Sequence, residues 1–292
     1  MKKPKSNLVI HVFFVIVSLS FLMPFLLVVS ASFTDELALL ENGYRLWPSK
    51  FSTAAYDYLF KNPKILIDAY KVTIFTTVVG TFASVFLMIM VAYSLGRRNC
   101  SFRKGLSFYI FFTMLFSGGL VPSYILVTQY LHLKDTMMIL LLSGLISPFY
   151  IIVLRTFFSQ LPESLFEAAK IDGASEFQIF FMIAIPLSKP AIATIAFMCV
   201  LGRWNDWYTP LLYITHHELR PLQYILYQMM ASIQAILTAM KDTSGVNLDI
   251  NSLPGVNLRM AMLIVAAGPV LVIFPFFQKY FTKGLTIGAV KG

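Results

Sequence analysis

Charge is scarce in this 292-residue chain: Asp, Glu, Lys and Arg make up 13% of it, against 58% hydrophobic residues and 15% aromatics. A water-soluble globule could not cover itself with so few ionised side chains, so the composition is that of a polytopic membrane protein. Acidic residues are the scarcer sign, 14 against 23 Lys and Arg, which leaves a net charge of +9. That excess does not point to nucleic acid, because the basic residues are scattered through loops and no basic stripe or recognition motif gathers them. Orientation in a membrane accounts for them better. Cysteine is nearly absent too. Cys100 lies in a basic loop and Cys199 in an apolar span, so the two would face different solvents and a structural disulfide is excluded. The dipeptide Gly-Lys occurs nowhere, which rules out a phosphate loop of the Walker type, and no nucleotide or other cofactor is expected on this chain. There is no Ser/His/Asp or Cys/His set and no pair of carboxylates on one face, so no enzyme is expected. His216-His217 lacks further ligands at zinc spacing, Met229, Met230 and Met240 read as packing, and no metal site is expected.

What the chain does contain is a series of charge-poor windows. A hydrocarbon core about 30 Å thick takes roughly 20 apolar residues per helix. Six windows qualify, at about 8–32, 72–96, 106–130, 136–154, 185–214 and 260–278, giving an all-α membrane protein of one transmembrane domain over 1–292. The start is basic and then apolar, like a signal peptide. However, Ser6 to Thr34 holds no Asp, Glu, Lys or Arg, far exceeding a signal core of about 7–15 residues, so it reads as a retained first helix. Pro24 sits inside it. Span two carries Gly80 and Ser84, a small-x-x-x-small pair that permits close helix approach. Gly118, Gly119 and Pro122 interrupt span three. Arg97, Arg98, Arg103 and Lys104 follow span two in a loop with no acidic residue, and the positive-inside rule places that loop in the cytoplasm.

Counting alternations from there puts both termini and 161–190 inside, and Asp135, 34–70 and 216–258 outside. Lys279, Lys283 and Lys291 at the end agree with that orientation. Within the last outer segment, 221–240 has no ionised group and could be a further span. Against this, Gln223, Tyr227, Gln234 and Thr238 fall within roughly 60° at 100° per residue, the pattern of an interfacial or protein-packed helix. A seventh crossing would also carry the basic C-terminus outside.

Two stretches could carry chemistry. The first is the polar insert 161–190. Pro162 can open a helix with Glu163 near the positive end of its dipole, Leu165, Phe166 and Ala169 share a face, and Gly173 ends it. Ser175 and Gln178 then form a capping box for a second helix, which Pro186 and Pro190 separate from span five. A short exposed helix, a glycine elbow and a helix entering the membrane could dock in a partner's groove, although any long cytoplasmic loop can hold an amphipathic helix. The second is Arg203-Trp204-Asn205-Asp206-Trp207-Tyr208, with ionised residues where a membrane helix should have none. Trp204 and Trp207 could stack on sugar rings while Asn205 and Asp206 hydrogen-bond to hydroxyls. Equally, Trp207 and Tyr208 suit an interfacial aromatic belt, and Arg203 with Asp206 suits a self-neutralising pair.

Glu167-Ala168-Ala169, Asp172-Gly173-Ala174, Phe177, Ile185-Pro186-Leu187 and Pro190 resemble, at fixed spacing, the EAA loop of ATP-binding-cassette importer permeases. Across nearly the whole chain the sequence is similar to the carbohydrate branch related to the maltose permease small subunit, and most to permeases for oligosaccharide or polysaccharide uptake. The stretch Gln278 to Gly292 is similar to that branch's tail. The resemblance implies that Glu167, Ala168, Ala169, Asp172, Gly173, Ala174 and Phe177 belong to a coupling element seated in an ATPase. It also implies a second, non-identical permease subunit, two ATPase subunits, an extracytoplasmic sugar-binding protein, and import across the cell membrane. The alternative is an ion-coupled secondary transporter or channel using Arg203 and Asp206, for which no inverted internal repeat is evident.

Overall fold

The computed structural model describes residues 6–61, 63–97, 101–242 and 255–289. Lys2, Lys3 and Lys5, Arg98 and Cys100 of the basic loop, the turn-rich stretch around Gly245 and Asn251, and Lys291 lie outside the described residues, and of Gln234 and Thr238 only the backbone is described. Among the described residues the structure is helical apart from one isolated bridge between Thr34 and Phe51.

The first helix, α1 (Ser6–Ser32), keeps Pro24 inside it, and its most apolar stretch is not buried by the rest of the chain, although Ser30, Ala31 and Ser32 at its end are. Such a surface belongs against lipid or another subunit. Two short helices follow, α2 (Glu36–Asn42) and α3 (Ala54–Lys61). Then comes α4 (Pro63–Gly96), 34 residues and so about 51 Å long at about 1.5 Å per residue. It therefore starts well before residue 72, and the charged Lys64, Asp68 and Lys71 occupy its leading turns rather than a loop.

Span three is α5 (Arg103–Leu115) with α6 (Leu120–Ile125), which runs on as a π-helical turn to Tyr130; the pair bends by 108°. The break falls at Gly119, whose φ of +86° only glycine adopts easily. The expected fourth span is not one helix. It is α7 (Met137–Leu142) and α8 (Pro148–Ser159), separated by Gly144 at φ +64° and by the Ser147-Pro148 step, which favours an extended residue before proline. The insert and span five are likewise composite: α9 (Glu163–Ile171), α10 (Glu176–Ile179) and a π-helical turn Phe180–Ala184 make up the insert, and α11 (Ile185–Leu187), an 80° bend, α12 (Lys189–Trp204) and α13 (Tyr208–Tyr213) follow as span five. The last helices are α14 (Leu222–Asp242) and α15 (Val256–Ala289).

Among the described residues three helical stretches are long and apolar enough to cross a membrane, Leu8–Ser32, Pro63–Gly96 and Val256–Gln278, and the two bent pairs raise that to five.

The chain divides into two compact units, each with its own packing. In the first, which holds the residues up to Ile67 and Ile225–Pro269, Ala55, Leu258 and Ala261 are buried under Tyr56, Leu59 and Met229. The Glu36 carboxylate accepts the Val256 and Asn257 backbone N–H groups at 2.8 and 3.0 Å, satisfying donors at the start of α15, and Asn257 donates to the Thr34 carbonyl at 3.2 Å. In the second unit the core runs from Val85 on α4 through Ile151, Leu154 and Phe158 to Phe166, Ile179, Phe180 and Ile195. Gly96 lets the end of α4 lie against α8, since a Cβ there would come within 2.8 Å of the Phe158 Cβ.

Candidate functional site

The insert folds as local rules dictate. Pro162 stands at the N-cap of α9 with Glu163 in the first turn. The helix ends in a Schellman motif: Ala174 N–H reaches the Ala169 carbonyl at 2.9 Å, Gly173 N–H reaches that of Lys170 at 3.0 Å, and Gly173 takes φ +81°. Ser175 then accepts from Gln178 N–H at 3.3 Å while Gln178 Oε1 accepts from Ser175 N–H at 2.7 Å, the reciprocal capping box that opens α10. Lys170 and Glu176, 2.6 Å apart, tie the two arms of the elbow. That hydrogen bond, opposed by partial burial, holds the Glu176 carboxyl below its usual range, with Arg97 and Tyr93 adding to the effect.

The seven residues of the coupling set do not all face one way. Ala169 is buried and Ala174 half-buried, on the side of Phe166, whereas Glu167, Ala168, Asp172, Gly173 and Phe177 are exposed. Two large apolar side chains of the insert are also exposed, Phe177 at 73% and Ile171 at 86% of full exposure. Ile171 went unrecognised in the sequence, where its only mark is an apolar residue between Lys170 and Asp172 at a helix end.

The Arg203–Tyr208 stretch is organised by the breaks around it. Helix α7 is apolar throughout, and its last carbonyls need donors. Ser143 N–H serves Ile139 and Leu145 N–H serves Leu142. The two between them are served by Arg203, whose guanidinium donates to the Leu140 and Leu141 carbonyls at 3.3 and 3.1 Å and to Ser84 Oγ at 2.9 Å. A cation at a helix C-terminus is also where the dipole favours it. Gly80 is what lets the guanidinium pass, because a Cβ there would lie 2.4–2.8 Å from it. Gly80 and Ser84, expected as a helix-contact pair, are thus the seat of Arg203.

Asp206 is engaged elsewhere. Its carboxylate accepts from the N–H groups of Tyr208 and Thr209 at 3.1 and 3.0 Å and so caps α13. Arg203 and Asp206 thus each anchor a helix end. Of the expected sugar-stacking residues, Trp204 is buried at 3% exposure and Trp207 is open at 40%, edge-on to Tyr208. Asn205 is exposed, donating to the Leu201 carbonyl at 3.0 Å and accepting from Gln223 at 3.2 Å. At the outer turn the Asp135 carboxylate accepts from the Thr215 backbone and hydroxyl and from His216 N–H. Burial pushes that carboxyl up, but these hydrogen bonds, with His216 nearby, outweigh it and lower its pKa from 3.8 to about 2. The residues that could hold a metal form no cluster among the described residues.

The sequence pattern of the binding-protein-dependent transport system inner membrane components matches residues 52–287. The chain belongs to this family. Among its relatives, Protein LplC of Bacillus subtilis (strain 168) is 41% identical over 93% of this chain and 90% of that protein. The polygalacturonan/rhamnogalacturonan transport system permease protein YtcP of the same organism is 38% identical over the full length of both. The fold is similar to a chain of a bacterial ABC transporter involved in the import of the acidic polysaccharide alginate, with a TM-score of 0.79 and 29% identity over 96% of this chain and 99% of that one. This inner membrane component is accordingly a multi-pass membrane transport subunit and not a catalytic enzyme.

Two outcomes follow from this geometry. Gly80→Leu should dislodge the Arg203 guanidinium and lower stability in detergent by about 1–3 kcal/mol for each carbonyl left unpaired, whereas Gly202→Ala, which meets nothing within 4 Å, should leave the thermal midpoint unchanged. The Asp135 clasp has a folded pKa below its unfolded value, so its contribution is complete above about pH 4 and fades as pH falls from 4 towards 2. Thermal melts of purified protein across that range should lose more stability in the native chain than in Asp135→Asn.

Proposed function

We propose that this chain is one of two non-identical permease subunits of an ATP-binding-cassette importer. Its cargo is an oligosaccharide or polysaccharide fragment handed over by an extracytoplasmic binding protein. The observation that carries the reading is the family match over 52–287 together with full-length relatives such as YtcP, a permease for polygalacturonan and rhamnogalacturonan by name. ATP is bound by two partner ATPase subunits, and the insert is the handle by which they act. Glu167, Ala168, Asp172, Gly173 and Phe177 form the exposed docking side, and Ala169 and Ala174 hold that side onto the transmembrane core.

The topology that fits has six crossings with both termini in the cytoplasm. The fourth is assembled from α7 and α8, and the fifth from α12 and α13. ATP closes the ATPase dimer, the inserts of the two permeases are carried together, and the cavity between the subunits opens outward to take the sugar. Trp207 and Asn205 are the members of the aromatic stretch placed to meet it, with Trp204 and Asp206 holding them in position. An ion relay through Arg203 and Asp206 is disfavoured, because both are engaged as anchors of helix ends.

Glu167→Lys and Gly173→Val should each abolish ATP-dependent sugar uptake and loosen ATPase co-purification while membrane insertion is kept. A Cβ at position 173 meets nothing within 4 Å in this chain, so the effect arises from the φ of +81° and from the docked partner. Normal uptake in both variants would sink the docking assignment.

A further inference from the structure

Span five follows the insert directly in the chain, but it does so through a sharply bent joint. The 80° bend between α11 and α12 falls at Ser188, between Pro186 and Pro190, and the buried Ser188 hydroxyl has no hydrogen-bond partner. Span two has no covalent link to the insert, yet its last turn grips both arms. Arg97 lies 4.1 Å above the Phe166 ring and 3.9 Å from Glu163, with its side chain only 12% exposed. One turn earlier the Tyr93 ring sits among Phe158, Phe166 and Phe180, at 5.7, 6.5 and 5.0 Å between centroids, and its hydroxyl donates to Glu176 at 3.4 Å. Arg97 therefore holds α9, and Tyr93 holds both α9 and α10. Their spacing of four residues places them on one face of α4.

Further along α4 come Ser84 and Gly80, the seat of Arg203, and then Thr73, whose hydroxyl accepts the Leu222 N–H at 2.9 Å. One stiff helix thus runs from the insert to the stretch that leads into Asn205 and Trp207.

We propose that Tyr93 and Arg97 are positioning residues that make span two the lever of this permease. Displacement of the insert is transmitted through them to α4 and by Ser84 to Arg203, while the bend at Ser188 lets span five pivot. This rests on the insert being the element that docks in the ATPase.

The test uses the assembled complex with its ATPase and binding-protein partners. Arg97→Glu should leave ATPase co-purification and ATP hydrolysis intact and lower sugar uptake about tenfold, the scale of a lost coupling of about 1–2 kcal/mol. Adding Glu163→Arg should recover most of the uptake. Uptake unchanged in Arg97→Glu, or a double variant no better than the single one, would overturn the lever. Reversing this charge could also upset insertion, and a second arm avoids it. With Cys100 and Cys199 replaced by alanine, Arg97→Cys and Glu163→Cys are joined by a short bifunctional thiol reagent. Span two and the insert move as one body, so the cross-linked complex should keep ATP-driven uptake relative to the uncross-linked pair. Loss of uptake on cross-linking would overturn the proposal. The docking assignment fails separately, if Glu167→Lys leaves ATPase association untouched.

Discussion

A backbone carbonyl without a donor is costly in hydrocarbon, and this chain breaks its helices at several places along its apolar stretches. The remainder of the second unit is arranged around meeting that requirement. Arg203 supplies donors to the end of α7, Asp206 supplies acceptors at the start of α13, and Asp135 does the same for Thr215 and His216 just beyond α13. A half-buried charge such as Arg203 would be expensive alone. It is tolerated here because every one of these groups is hydrogen-bonded to backbone that would otherwise go unpaired. The broken helices in turn place Asn205 and Trp207 at an exposed turn instead of inside a continuous helix.

The same logic connects the two ends of span two. Gly80 is small because Arg203 must pass it, Ser84 is polar because Arg203 must be held, and Gly96 is small because Phe158 presses on it. With Tyr93 before Gly96 and Arg97 just after it, these positions give α4 a succession of contacts along its length. The insert is rigid for independent reasons, a Schellman turn, a capping box and the Lys170–Glu176 pair. A rigid element gripped by a stiff helix passes displacement on, whereas two flexible ones would absorb it.

The features legible in the sequence were those encoded by neighbours. Pro162, Gly173 and Ser175 with Gln178 specify helix ends through backbone groups three to five residues away, and the structure forms them where the pattern indicates. Family membership was legible from the same insert. The seat of Arg203 was not, because Ser84 and Arg203 are 119 residues apart and the small-residue pair has a commoner use in packing helices. Span four looked continuous because its apolar content outweighed the local signals Gly144 and Ser147-Pro148, which mark the break. Periodicity also could not distinguish Trp204 from Trp207, since which one is buried depends on neighbours from other parts of the chain.

The most direct test places a thiol on the insert. With Cys100 and Cys199 replaced by alanine, Ile171→Cys should cross-link to the co-purified ATPase subunit, and Glu167→Lys should abolish that product. If no such product forms and the introduced thiol is instead modified in intact cells by an impermeant reagent added from outside, the insert lies on the wrong side of the membrane and the account is contradicted.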